Sequence, residues 1–189
     1  MEPLLAIVLV LLLTGAVLVI LSYNRFVAQA ASIDATWANI EGELQRRHDL
    51  VPNLVASVQG YVTHERRILE QVTAARSRAM AAVPSSVPIE QQARAEDELT
   101  QGLTSLLAVT ESYPELGSDA VFRDLQRQLV ETEDRIAAAR RLYNLEVASY
   151  ERRRRSVPSN LVASGAGFEP RTMFEIRDPA AEHTPHVPN

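Results

Sequence analysis

The chain has 189 residues, of which 46% are hydrophobic and only 5% aromatic, a balance more typical of one helical domain than of a β-sandwich or barrel. The formal net charge of −5 argues against bulk binding of nucleic acid, because such binding needs a basic surface that displaces phosphate counterions. The absence of cysteine excludes disulfides, thiolate nucleophiles and cysteine-ligated zinc, and it leaves the redox compartment open.

Residues 3–21, PLLAIVLVLLLTGAVLVIL, form an apolar stretch of 19 residues without a charged side chain. This length is close to the roughly 20 residues that a helix needs to cross a hydrocarbon layer of about 30 Å. A cleaved secretory signal is the alternative, with a small-residue site at 28–30, but the first three residues include no basic side chain and the apolar run is long for a signal. We therefore predict an uncleaved transmembrane anchor over 1–23, in a single-pass protein of the cell membrane that contacts lipids through 3–21. Arg25 after the span, with no basic residue before it, favours a cytoplasmic carboxyl side.

Four amphipathic segments follow the anchor. Apolar residues recur in them at steps of three and four, the spacing that keeps one stripe of a helix turned toward a partner. The predicted helices cover roughly 24–50, 54–82, 89–112 and 118–155. Short connections and narrow apolar stripes predict an all-α fold, an antiparallel four-helix bundle over 24–157 with coiled-coil-like packing. The first stripe comprises Phe26, Ala30, Ile33, Trp37, Ile40 and Leu44.

A charged stretch with a proline interrupts the end of the first segment. Arg46, Arg47, His48 and Asp49 precede Pro52, which cannot donate a backbone hydrogen bond inside a helix. Proline is accepted in the first turn of a new helix, and Asp49 is close enough to favour the positive end of that helix. We therefore predict a joint between two helices at Pro52, with Arg47 in water because the apolar stripe ends just before it. If one helix passed unbroken through Pro52, we would expect the arginines that end the fourth segment to lie away from the membrane.

The fourth segment ends in Arg152, Arg153, Arg154 and Arg155. These side chains either contact anionic lipid headgroups, at about 1 kcal/mol each, or stay solvated while they complement the negative end of the helix dipole. The sequence beyond them is rich in proline, contains Ser-Gly-Ala-Gly and has no apolar stripe. We therefore predict a Pro-rich, largely disordered tail over 158–189.

Motifs for catalysis, metals or cofactors are absent from the sequence. A di-metal site in a bundle needs Glu-x-x-His pairs on two helices, and no such pair occurs. His48 and His64 lack the spacing of metal ligands, and His183 and His186 fall in the predicted tail. Glu65 occupies an apolar position beside His64, where a hydrogen-bonded carboxylate is the expected role. We therefore expect no metal, no cofactor and no enzymatic activity.

Several segments, in the same order along the chain, resemble the LemA family. They include SYNRFV at 22–27, RRHDLVPNLV at 46–55, VQGYVTHE at 58–65, SYPEL at 112–116, FRDLQRQLVETEDRIAAARRLYN at 122–144 and VPSNLVA at 157–163. The resemblance covers roughly 3–168 and implies one membrane span and a four-helix bundle. No enzymatic activity is established for the family as a class, and its members include proteins associated with magnetosome membranes. The motif residues are Arg46, Arg47, Asp49, Pro52, Asn53, Arg135, Arg140, Arg141, Tyr143 and Asn144.

These observations predict a non-catalytic interaction or scaffold module at the cell membrane. Its protein partners are unknown, no nucleic acid is expected, and association with a second copy of the chain stays open. One alternative is an envelope or peptide-processing enzyme component, which requires the side chains of Arg46, Arg47, Asp49, His64 and Glu65 to converge in a cleft. Another is a lipid-binding protein that shapes the membrane through the arginines at 152–155.

Overall fold

The computed structural model of the protein describes residues 2–62, 65–83 and 87–175. Within these ranges every regular element is helical and none is a strand, which confirms the predicted all-α class. A short 3-10 turn, Val109–Glu111, follows the third helix. The helices are α1 (Glu2–Gln59), α2 (Arg66–Ala82), α3 (Ile89–Ala108), α4 (Pro114–Ser118), α5 (Ala120–Arg155) and α6 (Ser159–Gly165).

The chain divides into two compact units. The first comprises Met1–Ala38 and Arg141–Met173, and the second comprises Asn39–Arg140 and the segment that starts at Phe174. Helices α1 and α5 each contribute residues to both units.

The predicted anchor forms the start of α1. Each residue from Pro3 to Leu21 is exposed, and α1 is the one helix in the described ranges that is long and apolar enough to cross a membrane. The most apolar stretch of α1, 18 residues long, has no residue buried in the protein. The core helix of a soluble protein, by contrast, is mostly buried. Both features are consistent with a single-pass membrane protein.

The predicted apolar stripe of α1 is buried beyond the anchor at four of its six positions, whereas Ala30 and Trp37 are half-buried. Phe26, Ile33, Ile40 and Leu44 are all at most 1% exposed. The three-and-four spacing therefore identified the packed face of this helix correctly.

The predicted joint at Pro52 is wrong, because α1 continues through this proline to Gln59. Pro52 has no N–H to bond the carbonyl of His48, four residues earlier in the helix. That carbonyl instead accepts a hydrogen bond of 2.7 Å from Arg76 Nε of α2. A bond between helices thus replaces the missing bond within α1. The chain leaves the helix only at a turn that includes Gly60.

The second unit has an apolar core built from α1, α2, α3 and α5. Gly102 of α3 allows a close approach to α2, since a Cβ at this position would stand 3.4 Å from Val72 Cγ2. The core includes Leu54 and Val58 from α1, Val72 and Ala79 from α2, Leu99 and Leu103 from α3, and Phe122 and Leu129 from α5.

Helix α5 begins close to residue 118, where the fourth predicted segment starts, and Asp119 caps it. Asp119 Oδ1 accepts a hydrogen bond of 2.8 Å from the backbone N–H of Phe122, and Asp119 Oδ2 accepts one of 3.0 Å from the Tyr61 hydroxyl. The hydrogen bond from Phe122 has the largest effect on the pKa of Asp119, and that from Tyr61 the next largest. Both lower this pKa, because they stabilise the ionised form of the carboxyl group.

The structure differs from the predicted disordered tail between 158 and 175. Helix α6 lies in this range, and the ring of Phe168 beyond it stacks on Phe26 with 4.9 Å between centroids. The hydroxyl of Tyr150 donates to the carbonyl of Glu169, and the hydroxyl of Tyr143 donates to that of Thr172, both at 2.8 Å. Ala163 and Phe174 in this range are also buried. The segment is thus ordered by hydrogen bonds to its backbone carbonyls and by a few buried side chains rather than by a periodic apolar stripe. Residues 176–189 of the predicted tail lie outside the described residues.

Replacing Arg76 with Met should destabilise the protein by about 1–3 kcal/mol, because the carbonyl of His48 loses its hydrogen-bond donor. The same replacement should cost less when combined with Pro52→Ala, because alanine restores the N–H that this carbonyl accepts within a helix. Thermal unfolding of the full-length chain in detergent, followed by circular dichroism at 222 nm, measures both effects.

Arg78→Met is the matched control on the same helix. Arg78 is exposed and pairs at the surface with Glu98 at 2.8 Å, so its loss should cost less than about 1 kcal/mol. Equal destabilisation by Arg76→Met with and without Pro52→Ala would show that the bond to His48 does not compensate for the proline.

Candidate functional site

A group of charged and polar side chains lies inside the second unit. We call it the charge cluster: Arg47 and His48 of α1, Glu96 and Thr100 of α3, and Glu133 of α5. The side chain of Arg47 is 1% exposed, and those of His48 and Glu96 are 0% exposed. These three side chains are therefore enclosed by the packed helices, whereas that of Glu133 is 38% exposed.

The guanidinium of Arg47 connects α1 to two other helices. Its Nη2 donates to Glu96 Oε2, and its Nη1 donates to Glu133 Oε1 and Oε2 at 2.9 and 3.1 Å. Nη1 also lies 3.1 Å from Thr100 Oγ1. A planar guanidinium offers several donors in fixed directions, which allows one side chain to bind carboxylates on both helices.

His48 completes the hydrogen bonding of Glu96. Its Nε2 lies 3.0 Å from Glu96 Oε1, so both carboxylate oxygens of Glu96 have a partner on α1. Two buried nitrogens of the cluster, Arg47 Nε and His48 Nδ1, have no hydrogen-bond partner among the described residues.

Burial and pairing act in opposite directions on the ionisation of the cluster. Burial by itself would lower the pKa of Arg47, but the charges of Glu133 and Glu96 outweigh it and the pKa is raised. Burial by itself would raise the pKa of Glu96, but the hydrogen bond with His48 and the charge of Arg47 outweigh it and the pKa is lowered. Both groups are therefore held in their charged forms.

The predicted exposure of Arg47 is wrong. Arg47 continues the buried stripe of α1, which runs through Leu44, Arg47, Val51 and Leu54 at steps of three and four. A charged group can take this position because Glu96 and Glu133 neutralise it. The sequence reading missed Glu96, although it precedes the buried Leu99 by three residues on the stripe of α3.

The other charged residues of the first motif do not join the charge cluster. Arg46 is exposed, with its Nε 3.5 Å from Glu43 Oε2. Asp49 is exposed and accepts a hydrogen bond of 2.8 Å from Gln45 Nε2. Pro52 and Asn53 are exposed on the same helix.

Glu65 and His64 belonged to the site that the enzymatic alternative requires. Glu65 Oε2 accepts a hydrogen bond of 2.7 Å from the hydroxyl of Tyr113, as expected for a hydrogen-bonded carboxylate. His64 lies outside the described residues. Among the residues that are described, Arg46 and Asp49 are exposed, whereas Arg47 is enclosed.

The residues of the second motif have several environments along α5. Arg135 and Arg141 are exposed, whereas Arg140 and Asn144 are half-buried and engaged in contacts. Tyr143 is 2% exposed, and its ring centroid lies 5.2 Å from that of Trp37. Tyr143 thus has a packing role in the first unit, in addition to its bond to the C-terminal segment.

The four arginines at the end of α5 also differ from one another. Arg154 Nη2 and Arg155 Nε lie 3.1 and 3.5 Å from Glu151 Oε2. Arg153 lines a groove in the first unit together with Leu18 of the candidate anchor. Arg153 thus lies beside the candidate anchor, contrary to the expectation that an unbroken α1 places these arginines away from the membrane. The pairing of Tyr150 with Phe26, at 5.8 Å between ring centroids, places this end of α5 beside the residues that follow the anchor.

Metal ligands do not gather in the described part of the chain. No three His, Asp or Glu side chains within it are arranged to hold a metal ion. His64, His183 and His186 lie outside that part.

The fold and the charge cluster define an all-α protein that has one candidate membrane span and a buried ionic network linking its helices. The LemA family model matches residues 36–188, and the chain belongs to the LemA family. The match includes the whole charge cluster.

Similar proteins come from two bacterial species. Magnetosome protein MamQ 2 and Magnetosome protein MamQ 1 of Paramagnetospirillum magneticum are each 27% identical over 178 residues, which cover 82% of this chain and 65% of theirs. Magnetosome protein MamQ of Magnetospirillum gryphiswaldense is 26% identical over 185 residues, 86% of this chain and 68% of its own length. The chain thus spans 65% of the length of the first two relatives.

Glu96→Ala should destabilise the protein by about 3 kcal/mol, because Arg47 then stays buried with Glu133 as its remaining carboxylate. Glu98→Ala is the control on the same helix; this side chain is 53% exposed in a surface pair, so the cost should be below about 1 kcal/mol. Unfolding of the full-length chain in detergent with increasing urea measures both. Equal costs at the two positions would contradict a structural role for the charge cluster.

The pH dependence of stability should also depend on Glu96. Its pKa is lower in the folded protein than in the unfolded chain, so the unfolded chain takes up this proton first as the pH falls. The contribution of Glu96 is then complete above its unfolded pKa of about 4.3 and declines below it.

Below about pH 4.3, the free energy of unfolding should fall less steeply in Glu96→Gln than in the wild-type chain. The partners that hold the pKa of Glu96 down, His48 and Arg47, are unchanged in this variant. Urea unfolding at a series of pH values gives the two slopes, with Glu98→Gln as the control that should follow the wild type. Identical slopes for wild type and Glu96→Gln would contradict the prediction.

Proposed function

We propose that the protein is a non-catalytic, single-pass membrane protein whose helical domain binds other proteins at the membrane. The observation that supports a non-catalytic role is the enclosure of three members of the charge cluster, Arg47, His48 and Glu96, which are each at most 1% exposed. A reaction centre needs access for a substrate, whereas a buried ionic network holds helices in one arrangement.

The proposed architecture is an antiparallel four-helix bundle. The charge cluster connects α1 with α3 and α5, and the bond from Arg76 connects α1 with α2. Within the first unit, Phe26 pairs with Tyr150 and Trp37 pairs with Tyr143. Residue numbers therefore rise along α1 as they fall along α5, which favours an antiparallel pair.

We propose that residues 3–21 span the membrane and that the helical domain is cytoplasmic. The exposure of all these apolar side chains supports the span, and Arg25 after it, with no basic residue before it, supports the orientation. The relatives named as magnetosome proteins support a role at a membrane. Partners are proposed to be proteins, with no nucleic acid, and a second copy of the chain is one candidate partner.

Labelling of neighbouring proteins in cells tests this function. A biotin ligase fused to the C-terminus of the full-length chain should label a set of proteins that the same ligase on an unrelated single-pass anchor does not label. The identity of that set also reports on which side of the membrane the domain lies. A labelled set no different from that of the unrelated anchor would contradict an interaction module.

The span is tested with charged substitutions. Leu11→Arg combined with Leu12→Arg should release the chain from membranes during alkaline extraction, because each central arginine costs about 2.5–3.5 kcal/mol in a bilayer. Val121→Arg combined with Val130→Arg is the control, since these α5 side chains are 63% and 53% exposed outside the predicted span. Retention of the Leu11 and Leu12 variant in the membrane would contradict a transmembrane anchor.

A further inference from the structure

A groove in the first unit lies between the end of the candidate span and α6. Its volume is about 580 Å³, within the usual range for ligand pockets of roughly 300–1,000 Å³. Its polar lining includes Arg25 and Arg153. Most of the remaining lining is apolar and comes from Gly15, Leu18, Val19, Leu21, Leu161 and Val162.

The groove extends along the span rather than beyond it. Gly15 and Leu21 both line it, and at a rise of about 1.5 Å per residue they lie roughly 9 Å apart along the helix axis. Leu161 of α6 lines the same groove and is 69% exposed. If residues 3–21 cross a membrane, this leucine lies at the edge of the hydrocarbon layer, where its exposure is favourable.

The two arginines of the groove have no carboxylate partner within ion-pair distance in the described part of the chain. Arg154 and Arg155, by contrast, are both paired with Glu151. Two buried polar atoms of the groove residues, Arg153 Nε and Ser22 Oγ, also have no hydrogen-bond partner among the described residues. Positive charge that is not neutralised beside an apolar wall is complementary to a molecule with an anionic head and an apolar chain.

We propose that this groove binds one anionic phospholipid, whose phosphate contacts Arg25 and Arg153 and whose acyl chain lies along Leu18, Val19 and Leu161. The proposal rests on the proposed function in one respect, the placement of residues 3–21 in a membrane. A soluble phosphate compound would satisfy the arginines but would leave the apolar wall uncovered. A lipid satisfies both parts and reaches the groove from the bilayer.

Native mass spectrometry of the full-length chain in detergent tests this site, with palmitoyl-oleoyl phosphatidylglycerol as the probe. Arg153→Gln and Arg25→Gln should each weaken the apparent Kd of the first bound lipid at least about tenfold. This is the effect expected when a charged hydrogen bond is removed. Arg152→Gln is the matched control. It removes the same charge from the adjacent residue, which is exposed and does not line this groove, so its apparent Kd should change less than about twofold.

Three results would overturn the proposal. Equal weakening by Arg152→Gln and Arg153→Gln would indicate general electrostatic attraction without a site. Equal binding of phosphatidylcholine would remove the selectivity for an anionic head. Competition by glycerol phosphate as strong as that by the lipid would show that the apolar wall does not contribute to binding. Leu161→Asn tests this wall independently and should weaken lipid binding by several fold.

Further measurements establish that the variants are folded and separate this proposal from the proposed function. Circular dichroism of each variant establishes that it is folded, and Arg153→Lys, which retains the charge, should bind the lipid more tightly than Arg153→Gln does. Alkaline extraction of membranes establishes that the chain spans the bilayer. Extraction of the wild-type chain would contradict the proposed function itself, whereas a retained chain with no selective lipid adduct would overturn the lipid site alone.

Discussion

The packing of the second unit depends on the buried ion pair between Arg47 and Glu96. Removing two charges from water costs several kcal/mol per ion, so such a pair needs further hydrogen bonds to stabilise both groups. Glu133 supplies them to Arg47, and His48 supplies one to Glu96. A shift of α3 by one turn along α1 would leave the carboxylate of Glu96 buried without its partners. The ion pair therefore disfavours other registers of α3 against α1. An apolar core alone would discriminate less between these registers.

The continuity of α1 depends on the same turn of helix. His48 contacts two neighbours at once, because its side chain binds Glu96 while its carbonyl accepts the bond from Arg76. That carbonyl is free to do so because Pro52 does not use it. The proline is thus compatible with the helix where a second helix supplies a donor. Whether a helix continues through a proline is then a property of the tertiary structure and not of the local sequence.

Much of the fold could be predicted from local signals, and the main errors concern partners distant in sequence. The apolar stripe of α1 and the start of α5 after Asp119 were predictable, since spacing and capping act within a few residues. The enclosure of Arg47 was not, because its partners lie 49 and 86 residues away. One signal was present: Glu96 stands on the buried stripe of α3, and a buried carboxylate requires a cation or hydrogen-bond donors as partners. The sequence carried a weaker signal for the ordered segment after α6, because the hydroxyl of a buried tyrosine such as Tyr150 requires a hydrogen-bond acceptor.

The arginines that end α5 illustrate how one sequence feature separates into different environments. Successive residues of a helix point about 100° apart, so a run of four arginines cannot present all its charges to one surface. Glu151 forms ion pairs with both Arg154 and Arg155, while Arg153 lines the groove beside the candidate span. The charge available to a lipid headgroup at that groove therefore comes from Arg153 and from Arg25, which lies on a different helix. A count of basic residues in the run would overestimate the local attraction and would miss the contribution of Arg25.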